Sequence, residues 1–142
     1  MEYQERIIKD CCFLIEDTKS KYEINLEDKL LQFALKIIRM LSLIPYKREF
    51  DVFRNQLSKS ATSIGANYQE SQAASYAEFK QRIQICLRET RETLYWLRLM
   101  RELFKNQSVL EEKIQILLKE ANEFKNIFGT IFNKIRKKSL QS

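Results

Sequence analysis

Histidine is absent from this chain. That removes Ser/His and Cys/His nucleophilic pairs, histidine zinc sites, and the Glu-x-x-His ligand sets of ferritin-like bundles. Glycine occurs twice and proline once, too few for an architecture of strands and hairpins, which needs turn residues at regular intervals. Long helices are the natural alternative. The three cysteines, Cys11, Cys12 and Cys86, form no CxxC pair, and adjacent cysteines rarely bridge each other. They read as reduced thiols in a reducing compartment, so a cytoplasmic location is expected. The apolar run Cys11 to Ile15 is too short for a signal-peptide core or a membrane span, and Met1 to Lys9 carries charges of both signs. The mature protein is therefore expected to start at Met1, with no membrane partner.

What is present is a chain of 142 residues, the length of one domain. A domain of this size buries roughly 68 to 70% of the surface its unfolded chain exposes, enough for one real core. Lys and Arg outnumber Asp and Glu by 25 to 19, a formal charge of +6 that suits anionic partners without demanding them.

Apolar residues recur with helical spacing in four stretches. The first follows Asn25, an N-cap candidate with Glu27 and Asp28 in the first turn, and aligns Leu30, Ala34, Ile37, Leu41 and Ile44 before Pro45 stops it. The second, from about Lys47 to Ala73, aligns Phe50, Phe53, Leu57, Ala61, Ile64 and Tyr68. Ser75 with Glu78 reads as a capping box opening the third, which runs to about Lys105. Ser108 with Glu111 reads as a second box, opening the run Leu110, Ile114, Leu117, Ala121, Phe124, Phe128, Ile131 and Ile135. The expected fold is all-α: an antiparallel up-down-up-down four-helix bundle over residues 25–138, with a tail at 139–142. Residues 1–24 form an N-terminal extension in which Ile8, Cys11, Cys12 and Ile15 suggest a short amphipathic helix.

The third helix is too apolar for one core-facing stripe. Phe79, Ile83, Leu87, Leu94, Trp96, Leu97, Leu99, Met100, Leu103 and Phe104 cover roughly two thirds of its circumference at about 100° per residue. In a four-helix monomer each helix keeps a solvated back, so the surplus at Ile85, Trp96, Leu99 and Leu103 points to contact between copies of the chain. The competing explanation is a helix held between helix one, helix four and the N-terminal arm. Glu89 projects into the same arc beside Cys86 and Trp96, and reads as an interface carboxylate paired with an arginine of another subunit. Left unpaired there, its pKa would be raised; the pairing predicts that Glu89→Ala weakens assembly.

On the second helix, Ser58, Ala61, Thr62, Gly65 and Ala66 form a face of small side chains that admits a close neighbour. Gln56, Ser60, Ser63, Asn67, Glu70 and Ser71 form a polar stripe, by default a solvated face. The sharper reading is a buried polar network joining Asn67 and Glu70 to an arginine, since such burial is tolerable only when the groups are paired.

The run Gln56-Leu57-Ser58-Lys59-Ser60-Ala61-Thr62-Ser63-Ile64-Gly65-Ala66-Asn67-Tyr68-Gln69-Glu70, followed by Phe79, Arg88-Glu89, Glu92-Thr93 and Tyr95-Trp96-Leu97, resembles the bacterial four helix bundle protein family. That family includes proteins encoded in intervening sequences of large-subunit ribosomal RNA genes. It is related to the accessory variability determinants of diversity-generating retroelements. The match spans about Asp28 to Met100. The resemblance implies a homopentameric ring, with nucleic-acid binding or an accessory role beside a reverse transcriptase in some relatives.

Read from the residues alone, the leading candidate chemistry is phosphate binding. Arg91, Arg98 and Lys105 recur every seven residues along helix three, with Arg88 and Arg101 nearby, and Lys134, Arg136, Lys137 and Lys138 cluster near the C-terminus. Such surfaces bind RNA or DNA with strong salt dependence and weak sequence selectivity. The same arginines can instead pair with Glu89, Glu92 and Glu102, and the C-terminal cations suit a helix dipole or a frayed solvated tail. No zinc-finger or aromatic-bearing sheet signature accompanies them. Tyr95 and Trp96 can stack on bases, although aromatics at helical spacing more often serve core or interface. Glu89-x-x-Glu92 and Glu120-x-x-Glu123 are the sole hint of a Mg²⁺-dependent hydrolase; glutamates three apart are common on solvated helices, and no Gly-rich phosphate loop accompanies them. No catalytic residue, metal or cofactor is expected. The expected function is that of a non-catalytic oligomeric adaptor that binds nucleic acid, or a nucleic-acid-bound protein; the alternative is a protein-binding scaffold.

Overall fold

The structure, a computed structural model, describes residues 25–140. The amphipathic pattern of residues 1–24, with Cys11 and Cys12, lies outside the described residues. Within them the protein is all-α, with four α-helices and no strand: α1 (Leu26–Leu41), α2 (Asp51–Ser71), α3 (Tyr76–Leu103) and α4 (Ser108–Leu140).

Each boundary has a local cause. Asn25 caps α1, its side chain accepting from the Glu27 N–H at 3.1 Å. α1 ends at Leu41, three residues short of Ile44, because Pro45 bars the residue before it from helical dihedrals. The last carbonyls are closed by tight turns, Leu43 N–H to Met40 O and Ile44 N–H to Leu41 O. A 3₁₀ turn, Arg48–Phe50, precedes α2 where a continuous helix from Lys47 was expected; Lys47 is extended at its N-cap and makes no side-chain capping bond. Arg54, on the first turn of α2, donates to the carbonyls of Ile44 (2.9 Å) and Pro45 (2.7 Å) and lies over the Tyr46 ring, pinning this connection. Ser75 caps α3, accepting from Glu78 N–H. α4 starts one residue before its expected cap would allow, because the Glu111 N–H already bonds Gln107 O at 2.9 Å. It continues to Leu140, two residues into the expected tail.

Packing runs α1 to α2, α2 to α3 and α3 to α4, and closes α1 against α4. One apolar cluster fills the centre. Phe33 and Phe124 meet edge to face at 5.3 Å, and Tyr68 packs on Phe128. The α2–α3 seam is made by small groups: Ser60, Ala61 and Ile64 face Cys86, Thr90 and Thr93, all buried. On the other side of α2, a Cβ added to Gly65 would sit 3.5 Å from Leu30 Cβ, so the small face of this helix admits α1. Thr62 and Ala66 of that face are exposed.

Thr90 and Thr93 occupy core positions that an apolar count passes over. Thr90 donates back to Cys86 O (2.7 Å), and Thr93 Oγ1 lies within reach of both Glu89 O (2.8 Å) and Ser60 Oγ (2.9 Å), so each polar group is satisfied and leaves a methyl to pack.

Candidate functional site

Beside its buried face α3 carries two further stripes, one exposed and one largely half-buried. At about 100° per residue, Arg88, Arg91, Tyr95 and Arg98 fall on one, and Ile85, Glu89, Glu92, Trp96, Leu99 and Leu103 on the other. The second has alternating spacings of four and three, the pattern of a helix-pairing seam.

In the basic stripe Arg88, Arg91 and Arg98 are exposed and have no ion-pair partner among the described residues. Arg101 and Lys105 share Glu102, at 3.5 and 3.9 Å, Lys105 lying in the turn two residues past the end of α3 where the helix was expected to reach it, so the pairing expected as the alternative takes these two cations and not the other three. Lys134, Arg136 and Lys137 are exposed and Lys138 half-buried on the last turns of α4, a different helix from the α3 stripe.

In the apolar stripe Leu103 is 52% and Leu99 37% exposed, and Ile85 and Trp96 are half-buried. Trp96 has partners within the chain: it packs edge to face on Phe53 at 6.1 Å, and its indole N–H points to Glu92 at 3.4 Å. Glu89 is half-buried with no ion pair among the described residues. Burial pushes its carboxyl above the ordinary glutamate value and the neighbouring Glu92 adds to this, while Arg88 and, across from α2, Lys59 act against it.

The polar stripe of α2 meets an arginine that the sequence did not single out. Arg82, on α3, donates to Asn67 Oδ1 at 2.9 Å and pairs with Glu70 at 2.8 Å. The network is not buried as expected: the Glu70 side chain is 59% exposed and Asn67 half-buried, because the group lies at the edge of the α2–α3 seam where long side chains reach water. Only three-dimensional proximity selects Arg82, since it stands 12 residues from Glu70 with a turn between them.

One carboxylate of each pair considered for metal binding has another partner. Glu120 bridges α4 to Lys36 of α1 at 2.6 Å, and Glu92 accepts from Trp96. Among the described residues no group of three or more His, Cys, Asp or Glu is placed to hold a metal ion, and no helix is long and apolar enough to cross a membrane. Cys86 is buried on the α2–α3 seam, its thiol donating to Ile64 O at 3.4 Å, and desolvation pushes its pKa up to about 12, so it is an inert packing thiol.

A family model described as 23S rRNA-intervening sequence protein matches residues 22–130. A crystal structure of a protein of unknown function from the S23 ribosomal protein family of Bacteroides thetaiotaomicron is 31% identical, with a TM-score of 0.64, over 75% of this chain and 96% of that one. Comparison with curated proteins finds no match.

Proposed function

Because the chain belongs to the 23S rRNA-intervening sequence protein family, we propose that it acts without catalysis, as a self-associating adaptor that binds RNA or DNA through the cations of α3. A protein already seated on nucleic acid, such as a reverse transcriptase, is an equivalent target for the same surface. The observation that carries this reading is the exposure of Arg88, Arg91 and Arg98 without an ion-pair partner among the described residues, while the neighbouring Arg101 and Lys105 are occupied by Glu102. Guanidinium groups left open on one helix face suit phosphate oxygens in geometry and charge.

Self-association of an up-down-up-down bundle through the second stripe would repeat the basic one. In the five-copy ring expected from the resemblance, +6 per chain becomes about +30. Docking is then electrostatic, and affinity falls steeply with salt as counterions return to the phosphates. The test is absolute mass by light scattering, alone and with a short duplex at low and moderate salt. An oligomer that binds the duplex and releases it as salt rises supports the reading; a monomer, or an oligomer indifferent to nucleic acid, overturns it. Leu99 and Leu103, exposed beside the arginines, favour a second reading in which the surface docks a protein, and binding of that kind would be nearly flat in salt.

A further inference from the structure

Tyr95 stands among the open arginines of α3, four residues after Arg91, three before Arg98 and seven after Arg88, so all four share one face. It is 59% exposed, unlike Trp96, which is turned toward the core and held there by Phe53. The exposed ring is not loosely held. Tyr95 meets Trp96 edge to face at 5.1 Å, Trp96 meets Phe53, Phe53 meets Phe50, and Phe50 meets Phe104 at 5.3 Å. A row of aromatic rings therefore runs from the buried core to the surface and ends at Tyr95, which restricts that ring before any partner arrives.

We infer that Tyr95 is a base-stacking platform and that the substrate class is single-stranded nucleic acid. This rests on the proposed phosphate-binding reading and sharpens it. Arginines alone hold either a duplex or a single strand, because both present phosphates. A phenol ring adds affinity only where the base faces are free, which a duplex denies and a single strand offers. Arg91 and Arg98 stand about 10 Å apart along the helix, one on either side of the ring. A base placed on Tyr95 thus has a guanidinium within reach of the phosphates before and after it.

The test uses the full chain and fluorescence anisotropy with four labelled strands of equal length: oligouridine RNA, oligothymidine DNA, an abasic strand carrying phosphates alone, and a duplex. We expect Tyr95→Ala to weaken the two base-bearing single strands by about 5- to 150-fold with an unchanged salt slope, leaving the abasic strand and duplex as they were. Tyr95→Trp should retain binding. Arg91→Ala and Arg98→Ala should instead each lower the single-strand salt slope by about 0.7. Equal affinity for RNA and DNA supports stacking alone; a preference for RNA supports stacking with ribose contact. The inference is overturned, with the phosphate-binding reading intact, if Tyr95→Ala weakens all strands alike or none. It is also overturned if that substitution lowers the mass of the free protein, which would assign Tyr95 to contact between copies. Failure of every strand to bind at low salt overturns both.

Discussion

Thr93 Oγ1 on α3 lies 2.9 Å from Ser60 Oγ on α2, and both residues are sealed from solvent. With one hydrogen apiece, the pair donates in sequence. Either Thr93 donates to Ser60 and Ser60 to Leu57 O, or Ser60 donates to Thr93 and Thr93 to Glu89 O. Both directions end on a backbone carbonyl, so neither hydroxyl is left bare. Thr93→Val keeps the shape and deletes the bond between helices, and should cost about 1 kcal/mol in urea unfolding at fixed protein concentration. The double variant with Ser60→Ala should cost less than the sum of the two singles, by about 0.5 to 1.5 kcal/mol. Strict additivity would mean that the two hydroxyls do not interact.

Gly65 is an interior helical residue with room for a methyl group. A Cβ there meets Leu30 Cβ at 3.5 Å, an ordinary contact, and one at Gly129 meets nothing within 4 Å. Gly65→Ala and Gly129→Ala should each stabilise the protein by up to about 1 kcal/mol, since alanine loses less backbone entropy in a helix. Gly65→Leu should do the opposite, because a branched side chain forces α1 away from α2. Thermal midpoints of the three variants check this, and a lowered midpoint for Gly65→Ala would show that the two helices stand closer than 3.5 Å implies.

The residues that open helices were legible because their chemistry is local: Asn25 and Ser75 cap neighbouring N–H groups two and three residues on. The apolar periodicity likewise placed Leu57, Ile64, Ile114 and Phe128 in the core. Phe33 and Met40 were passed over, although they lie on the same face of α1 as Leu30 and Ile37. Thr90 and Thr93 escaped for a different reason, since residue type marks them polar and only the back-bonded hydroxyl makes burial cheap. Arg54 and Arg82 could not be read at all: a long flexible side chain takes the carbonyl or carboxylate that the turn brings near it. On the candidate site, the sequence grouped five cations on helix three, but which of them Glu102 would occupy depends on side-chain geometry.

Glu89 ties stability to pH with a sign that depends on assembly. In the single chain its folded pKa lies above the unfolded value through burial and the Glu92 charge. Its contribution is then fully present below the unfolded pKa and lost as pH rises through the folded pKa. At concentrations dilute enough for a monomer, Glu89→Gln should therefore gain stability relative to the wild type between pH 4 and pH 7. At concentrations where copies associate and a cation meets Glu89, the same variant should lose that advantage and show reduced mass by light scattering. Unfolding curves at pH 4 and pH 7, each at two concentrations, separate the cases. A neutral-pH gain that persists unchanged in the assembled protein would rule out a cation opposite Glu89.

Leu99 and Leu103 provide the most direct test of the second stripe, because the bundle does not use them fully. Leu103 is half open to water, so Leu103→Asp removes little core packing, and at the last residue of α3 the propensity and helix-dipole costs of an aspartate together come to about 1 kcal/mol. The helical spectrum and thermal midpoint of a dilute sample should accordingly stay near those of the wild type. At a seam between copies the effect is different, since one unpaired carboxylate per chain would be buried against apolar neighbours, a charge that desolvation makes expensive. Leu99→Asp and Leu103→Asp should each reduce the oligomer to smaller species while Val109→Asp, exposed at the start of α4 and away from the stripe, should not. Unchanged mass for both leucine variants would remove self-association through this face and leave the apolar stripe to a different protein.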